Sequence, residues 1–329
     1  MLKFIARRVI LMIPTLIAIS IVTFFLIQLP PGDFLTTLVA SMAEQGETVD
    51  QSRLDSLRDR YGLDDPFYIQ YFKWMGGVLQ GDFGYSFTWN RPVSDLVWDR
   101  VGYSFALSIS SLIMIWLIAF PIGVYSAVRK YSIGDYIVTF FGFLGLAIPN
   151  FLIALVLMYV SFKYFGQSVG GLFSPEYVDA PWSLARLGDF LLHLWIPMII
   201  VGTAGTASLI RITRANLLDE LGRPYVVTAR AKGLPEHRVL LKYPVRMALN
   251  PFVSTVGWVL PGLISGETII SVVLSLPTTG PLLLRALTSQ DMYLAGGFIL
   301  ILSVLTVIGT LISDIMLAWL DPRIRYQYG

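Results

Sequence analysis

The sequence contains no cysteine, only two histidines and few charged side chains. Of its 329 residues, 14% are Asp, Glu, Lys or Arg, whereas a soluble globular domain carries about 25%. The absence of cysteine excludes disulfides, thiolate metal sites and cysteine nucleophiles. His193 and His237 are too few for a histidine-rich metal centre, so we predict no metal site. Hydrophobic residues make up 55% of the chain, which leaves too little polar surface to cover a water-soluble body of this size.

This composition argues against a cytosolic enzyme, a disordered chain and a nucleic-acid-binding protein. A nucleic-acid-binding protein is expected to carry an excess of basic residues, and the formal net charge here is only +2. The sequence also contains no G-x-x-x-x-G-K-[ST] motif, so it has no phosphate-binding loop of its own for ATP. The class that remains is a polytopic membrane protein.

Long apolar runs place the chain in the membrane. A helix needs about 20 apolar residues to cross the hydrocarbon core, and the runs are continuous rather than alternating as in a β-barrel. We therefore predict an all-α polytopic membrane protein with six transmembrane helices, at about 9–30, 101–128, 136–163, 190–210, 250–284 and 292–318. Prolines inside these runs can kink the helices, at Pro121, Pro149, Pro197 and Pro261. The first run is long and is followed by Pro30-Pro31, so we interpret it as a retained helix and not a signal peptide.

The distribution of charge predicts the orientation. With the N-terminus inside, the cytoplasmic segments hold 15 of the 24 basic residues and the external segments hold 15 of the 22 acidic residues. Basic residues concentrate on the cytoplasmic side of membrane proteins. We therefore predict that both termini are cytoplasmic.

The external segment 31–100 is too long for a simple turn. Asp50 can cap a helix that ends at Gly62, and Asp65-Pro66 can provide the cap and first residue of a second helix that ends near Gly81. Its many aromatic side chains fit either a belt packed at the bilayer surface or a small subdomain that receives a partner or substrate. Both interpretations stay open at this point.

The internal segment 211–250 is divided by helix-ending glycines and helix-starting prolines, at Gly222, Pro224, Gly233 and Pro235. The helix predicted between the two glycines, roughly 225–232, has about two turns. A helix that short is marginal in water, so neighbouring elements or another protein must hold it. The basic residues alone fit contact with anionic lipid, but the paired glycines and prolines indicate a shaped docking element.

This internal segment resembles the cytoplasmic signature of permease subunits of binding-protein-dependent ABC importers. The block 228–251, TARAKGLPEHRVLLKYPVRMALNP, is most similar to B-type subunits of the oligopeptide/dipeptide permease family. Val227 stands where that signature usually has glutamate, Gly233 stands at its glycine, and Arg246 stands at its later proline, with Pro244 two residues earlier. We therefore expect the helix after Gly233 to bend differently. Further motifs follow in the family's order: RYGLDDP (60–66) with GDFGYS (81–86), AIPN (147–150), LPTTG (276–280) and LDPRIR (320–325).

The resemblance implies one transmembrane domain over 1–329 and a transport subunit without enzyme activity or cofactor of its own. It implies three kinds of partner besides the lipid bilayer of the bacterial inner membrane: a homologous second permease, two ATP-binding subunits that bind ATP-Mg, and an extracytoplasmic solute-binding protein. It also implies that the ATP-binding subunits are contacted by one short coupling loop, Val227, Thr228, Ala229, Arg230, Ala231, Lys232, Gly233, Leu234 and Pro235.

Glu267 is the acid in the middle of the fifth apolar run. A charge at the bilayer centre costs about 2.5–3.5 kcal/mol on insertion scales, so Glu267 is predicted either to line the solute pathway or to make a structural polar contact. The sequence argues against two other functions. It has no G-x-S-G motif to accompany a histidine, as an intramembrane serine protease would require. It also has no internal repeat and no carbonyl filter, which a secondary transporter or channel would be expected to show. From the resemblance we expect the solute to be a peptide, with an oligosaccharide as the alternative.

Overall fold

The computed structural model describes residues 2–28, 65–86, 88–165, 170–265, 268–289 and 291–320. This part of the chain is mostly helical, as predicted, with one short antiparallel hairpin of β1 (Tyr85–Ser86) and β2 (Arg91–Pro92). The helices, in chain order, are α1 (Leu2–Gln28), α2 (Phe67–Leu79), α3 (Val93–Val128), α4 (Ile133–Ala147), α5 (Asn150–Val160), α6 (Leu184–Leu221), α7 (Pro224–Ala231), α8 (Glu236–Lys242), α9 (Pro244–Met247), α10 (Asn250–Ser265), α11 (Thr268–Val273), α12 (Thr279–Thr288) and α13 (Met292–Leu320). A π-helical turn (Ser161–Phe165) follows α5, and a 3-10 turn (Pro175–Tyr177) precedes α6.

Four described helices are long and apolar enough to cross a membrane, namely α1, α3, α6 and α13. A fifth span is possible if α4 and α5 are counted as one, although they meet at an angle of 97°. Ile148 has an extended backbone before Pro149, because the proline ring disfavours helical geometry in the preceding residue. The expected span 136–163 is therefore broken and not one straight helix.

The fifth apolar run, expected as one span over 250–284, is also divided. The described part consists of α10, α11 and the beginning of α12, and the chain turns between α11 and α12 at Ser275, whose φ is 52°. The prediction of six spans with cytoplasmic termini therefore stays a prediction.

Two helices are much longer than the hydrocarbon core is thick. At 1.5 Å per residue, the 36 residues of α3 and the 38 residues of α6 span roughly 54 and 57 Å, whereas the core is about 30 Å thick. Each helix is therefore longer than a perpendicular crossing requires. Helix α6 ends at Leu221, immediately before the segment that begins at Gly222.

Contacts divide the chain into two compact units, and the expectation of a single domain stays a prediction. The first unit comprises Met1–Ile5, Tyr103–Pro281 and Ile308–Gly329. Its largest described core contains the fully buried side chains of Leu107 in α3, Ile200 in α6 and Leu274, which directly follows α11.

The second unit comprises Ala6–Gly102 and Leu282–Val307. Phe24 of α1 packs against three aromatic rings of α2, those of Phe67, Tyr71 and Trp74, with centroids 5.1 to 5.6 Å apart. Ser20 and Tyr71 add a hydroxyl–hydroxyl hydrogen bond of 2.8 Å. The aromatic side chains predicted for the external segment thus include a set that packs α2 on α1.

The start of α2 corrects one prediction. Pro66 is the N-cap residue instead of the first helical residue, and no side chain caps the helix. The Asp65 carboxylate lies 2.5 Å from the Lys73 ammonium instead. The end of α2 near Gly81 is confirmed, whereas the helix expected between Asp50 and Gly62 lies outside the described residues.

Candidate functional site

The segment between α6 and α10 begins with a sharp change of direction. Helix α6 ends at Leu221, and Gly222 is its C-cap residue. Arg223 has an extended backbone with φ −68° and ψ 146°, and Pro224 is the first residue of α7. Proline is suited to this position because the first helical residue has no partner for an N–H group. The predicted boundary at Gly222 and Pro224 is confirmed.

Gly233, two residues after the end of α7, has a left-handed backbone with φ 75°. Its N–H donates to the carbonyl of Arg230 at 2.9 Å, and the N–H of Leu234 donates to the carbonyl of Ala229 at 3.4 Å. This pair of bonds is the Schellman arrangement, in which a glycine allows the chain to leave the helix. The helix is Pro224–Ala231, one residue earlier at each end than predicted.

One face of α7 is buried within the segment itself. Val226 is fully buried and Ala229 is 6% exposed, and both pack with Val239 of α8 and with Tyr243. Their i, i+3 spacing places them on the same side of the helix. The opposite side carries Val227, whose exposed fraction is 56%. A helix of two turns is therefore held by α8 while it presents a partly apolar face outward.

Helix α9 connects this segment to the long helices. Val245 and Ala248 are buried against Ala127 of α3 and Leu217 of α6. Helix α8 ends before Tyr243, and Pro244 starts α9, so the break lies at Pro244 rather than at Arg246. The expectation that this helix bends differently from that of its relatives stays a prediction. The short helices thus form a packed link to α3 and α6.

Two polar contacts join consecutive helices in this segment. The Arg230 guanidinium donates two hydrogen bonds to the Glu236 carboxylate, at 2.6 and 3.1 Å, and this contact lowers the pKa of Glu236. The Tyr225 hydroxyl donates to the carboxylate of Glu220 in the last turn of α6. Burial and this hydrogen bond raise the pKa of Tyr225 to about 12. Both contacts fix the position of α7 relative to its neighbours.

The nine residues predicted to form the coupling loop lie together at α7 and the turn that follows it. Ala229 is the one buried member, while Val227, Thr228, Arg230, Ala231, Lys232, Gly233, Leu234 and Pro235 are exposed. The exposure leaves these side chains available to another protein. Their contact with an ATP-binding subunit stays a prediction.

Glu267, the other candidate, lies outside the described residues. Gly280 of the LPTTG motif packs against the start of α11. A Cβ on Gly280 would lie 2.8 Å from the Cα of Thr268. Such a distance requires a residue without a side chain. The motif therefore has a packing reason for its glycine.

An ion pair that the sequence analysis missed lies between α4 and α6. Asp135 is 2% exposed and accepts two hydrogen bonds of 2.8 Å from the Arg214 guanidinium. It also accepts from the Tyr131 N–H, at 2.8 Å, and from the Ser126 hydroxyl. The Ser132-x-x-Asp135 pattern could have indicated a helix start, but the partner 79 residues away is visible only in the fold.

Two side chains of the kinds that a serine protease requires have structural partners. The buried Ser86 hydroxyl donates to the Asp291 carboxylate at 2.5 Å. The His193 Nδ1 atom lies 2.8 Å from the Asp189 carbonyl oxygen. Each side chain is therefore held by a contact within the protein.

Comparison with known proteins identifies the family. Residues 119–326 match the family described as binding-protein-dependent transport system inner membrane component, and residues 1–108 match its N-terminal component. The oligopeptide transport system permease protein AppB of Bacillus subtilis is 38% identical over 99% of this chain and 100% of its own length. The dipeptide permease protein DppB of Escherichia coli K12 and the glutathione permease protein GsiC of Salmonella paratyphi A are each 30% identical, over 99% of this chain and 100% of their own lengths. The chain therefore belongs to the inner-membrane permease subunits of binding-protein-dependent ABC importers, in the oligopeptide/dipeptide type.

Proposed function

We propose that this chain forms half of the translocation pathway of an ATP-driven importer whose solute is a peptide. The similar permeases named above are those of oligopeptide, dipeptide and glutathione transport systems, and each aligns over nearly the whole chain. Similarity of that extent supports the same kind of subunit. The solute class rests on the relatives' names, and solute choice is expected to reside largely in the external binding protein.

The outward face of α7 is the observation that carries the proposed mechanism. Val227 is 56% exposed on a helix whose other face, Val226 and Ala229, is buried against α8. An apolar side chain on an exposed two-turn helix is suited to a cleft on a partner. We assign the nine residues 227–235 to contact with the ATP-binding subunits.

The packed link from α7 to the long helices supports transmission of movement. Helix α7 packs on α8, and the buried Val245 and Ala248 join α9 to α3 and α6. A displacement of α7 would therefore move the ends of two apolar helices as one body. ATP drives such a change if the ATP-bound subunits bind one arrangement of the helices better than the other.

The proposed assembly supplies the other subunits that transport requires. A homologous second permease supplies the other half of the pathway, two ATP-binding subunits lie beneath it with ATP-Mg, and an extracytoplasmic binding protein delivers the solute. The chain lies in the bacterial inner membrane with six spans and both termini in the cytoplasm. The fifth span then comprises the divided run that includes Glu267.

Single-cysteine variants test the coupling contact, because the natural chain has no cysteine. Val227→Cys is compared with Val178→Cys, a matched control in the segment before α6 that is 52% exposed. A photoreactive maleimide on each thiol, in the assembled importer, should yield an adduct with an ATP-binding subunit from position 227 and not from 178. Equal adduct yields from the two positions would show that α7 does not lie at the interface with the ATP-binding subunits.

The same two variants test the orientation separately. A membrane-impermeant maleimide added to intact spheroplasts should label Val178→Cys and leave Val227→Cys unlabelled until the membrane is opened. Labelling of position 227 in closed cells would reverse the proposed topology. The crosslinking result does not depend on this one.

A further inference from the structure

Helices α4 and α6 of the first unit leave a groove between them. Its cavity volume is about 250 Å³, and its lining is mostly apolar. The principal apolar residues are Val138, Gly142, Phe143 and Leu146 of α4 with Ala207 and Ile210 of α6. The residues of α4 cover roughly 12 Å of helix.

The groove results from two close contacts with an unfilled position between them. At one end, Asp135 and Arg214 join the helices through two hydrogen bonds. At the other, a Cβ on Gly145 would lie 3.3 Å from the Thr203 side chain, so the backbones approach closely. A Cβ on Gly142 would meet nothing within 4 Å. The helices thus diverge around Gly142 and leave a depression without a side chain to fill it.

An exposed cation, Arg211, lies at the Asp135 end of the groove. Arg214 is neutralised by Asp135, but Arg211, about one turn away on α6, also lines the groove and is exposed. Among the described residues no carboxylate forms an ion pair with Arg211. Arg129 and Lys130, in the turn between α3 and α4, are exposed at the same end of α4. An anionic group is therefore the complement of this end.

We propose that the groove binds an anionic phospholipid, with its phosphate at Arg211 and an acyl chain along α4 over Gly142. Arginine binds phosphate with two parallel hydrogen bonds, and basic pockets between transmembrane helices bind anionic headgroups. The apolar lining then takes the chain. This site is independent of the solute that the importer carries.

The shape of the groove favours a lipid over a second helix. Helix interfaces in membranes place small residues at the surface so that backbones approach. Here the small residue, Gly142, lines the groove without a neighbour within 4 Å of its Cβ position, next to Phe143, which is 57% exposed. A flexible acyl chain can follow the space beside this ring more readily than a rigid helix can.

Native mass spectrometry of the assembled importer, titrated with phosphatidylglycerol or phosphatidylcholine of the same chain length, tests the proposal. Wild-type importer should retain phosphatidylglycerol at least tenfold more strongly than phosphatidylcholine. Arg211→Gln should remove that difference, and Gly142→Leu should reduce retention of both lipids. The matched controls are Arg223→Gln, an exposed arginine outside the groove lining, and Gly188→Leu, a glycine of α6 with open space around it. Both controls should behave as wild type.

Three outcomes would overturn the proposal. Equal retention of the two lipids by wild type would mean that the charge is not recognised. If Arg211→Gln retains phosphatidylglycerol as strongly as Arg223→Gln does, the phosphate does not bind at Arg211. Loss of the second permease from Gly142→Leu, with lipid retention unchanged, would identify this face as a protein interface. The mass of each complex reports assembly in the same spectrum, so a variant that fails to assemble is recognised directly.

Discussion

Gly233 offers the sharpest test of how α7 is shaped, because its φ of 75° is accessible to glycine and costly for other residues. The left-handed region costs an L-amino acid roughly 1–2 kcal/mol. A Cβ at this position would meet nothing within 4 Å, so Gly233→Ala adds backbone strain without a collision. A cost near 1.4 kcal/mol changes a population tenfold. We therefore expect Gly233→Ala to reduce the coupling of ATP hydrolysis to transport by up to about tenfold.

Two further substitutions at Gly233 grade the effect. Asparagine tolerates the left-handed region better than alanine, so Gly233→Asn should lose less. Proline cannot adopt a positive φ and has no N–H group, so Gly233→Pro also loses the 2.9 Å bond to the Arg230 carbonyl, a contact worth about 1 kcal/mol. Transport by Gly233→Pro should be abolished while the protein still inserts into the membrane.

Gly222 is the matched control because it bounds the same segment with an ordinary φ of −84°. A Cβ there would lie 3.7 Å from the Asp219 carbonyl oxygen, which is a normal contact. Gly222→Ala should therefore stay within about 0.5 kcal/mol of wild type. The assay is ATP-dependent uptake by vesicles reconstituted with the complete importer, normalised to the inserted protein. Normal uptake by Gly233→Pro would refute the coupling role, and equal uptake by Gly233→Ala and Gly222→Ala would refute the backbone argument.

Three other predictions concern charged and titratable side chains. Asp135→Asn leaves the largely buried Arg214 without its carboxylate and should lower the free energy of unfolding in detergent by about 3 kcal/mol. Asp65→Asn, the control at a more exposed ion pair, should lower it by at most about 1 kcal/mol. Equal losses from the two variants would contradict the argument from burial. The raised pKa of Tyr225 means that its contribution to stability is complete below its usual pKa of 10.0 and is lost as the pH rises through about 12, so Tyr225→Phe should flatten the alkaline decline in thermal stability. If Glu267 lines the pathway, Glu267→Gln should change the transport rate or the solute profile; an unchanged profile across peptides and oligosaccharides would assign it a structural contact.

Local signals predicted the boundaries of α7 well because these boundaries depend on single residues. Gly233 in the left-handed region and Pro224 at a helix start are requirements of the backbone itself, so they are readable without a fold. The one-residue difference in the bounds of α7 arises from Arg223, whose extended backbone makes it the N-cap residue. Asp65 misled the same kind of reasoning, because its carboxylate pairs with Lys73 instead of capping α2.

The spans were less predictable because apolar composition reports burial in lipid and not straightness. Pro149 indicated a possible kink, but the 97° angle between α4 and α5 depends on the helices around them. In the run 250–284, composition indicated one long helix, and the structure divides it around a residue of positive φ, Ser275. Neither result could be obtained from hydropathy alone.

The sequence by itself determined that this is a membrane-embedded helical permease subunit with a short helix between Gly222 and Gly233, because composition, family motifs and backbone requirements are properties of the chain. Only the tertiary structure decided which face of that helix is outward, since Val226 and Ala229 are buried by Val239, which follows in the next helix. It also decided that Asp135 meets Arg214, 79 residues later, and that a groove beside them exposes Arg211. Contacts between residues distant in sequence depend on how the helices pack, and no local pattern specifies that packing.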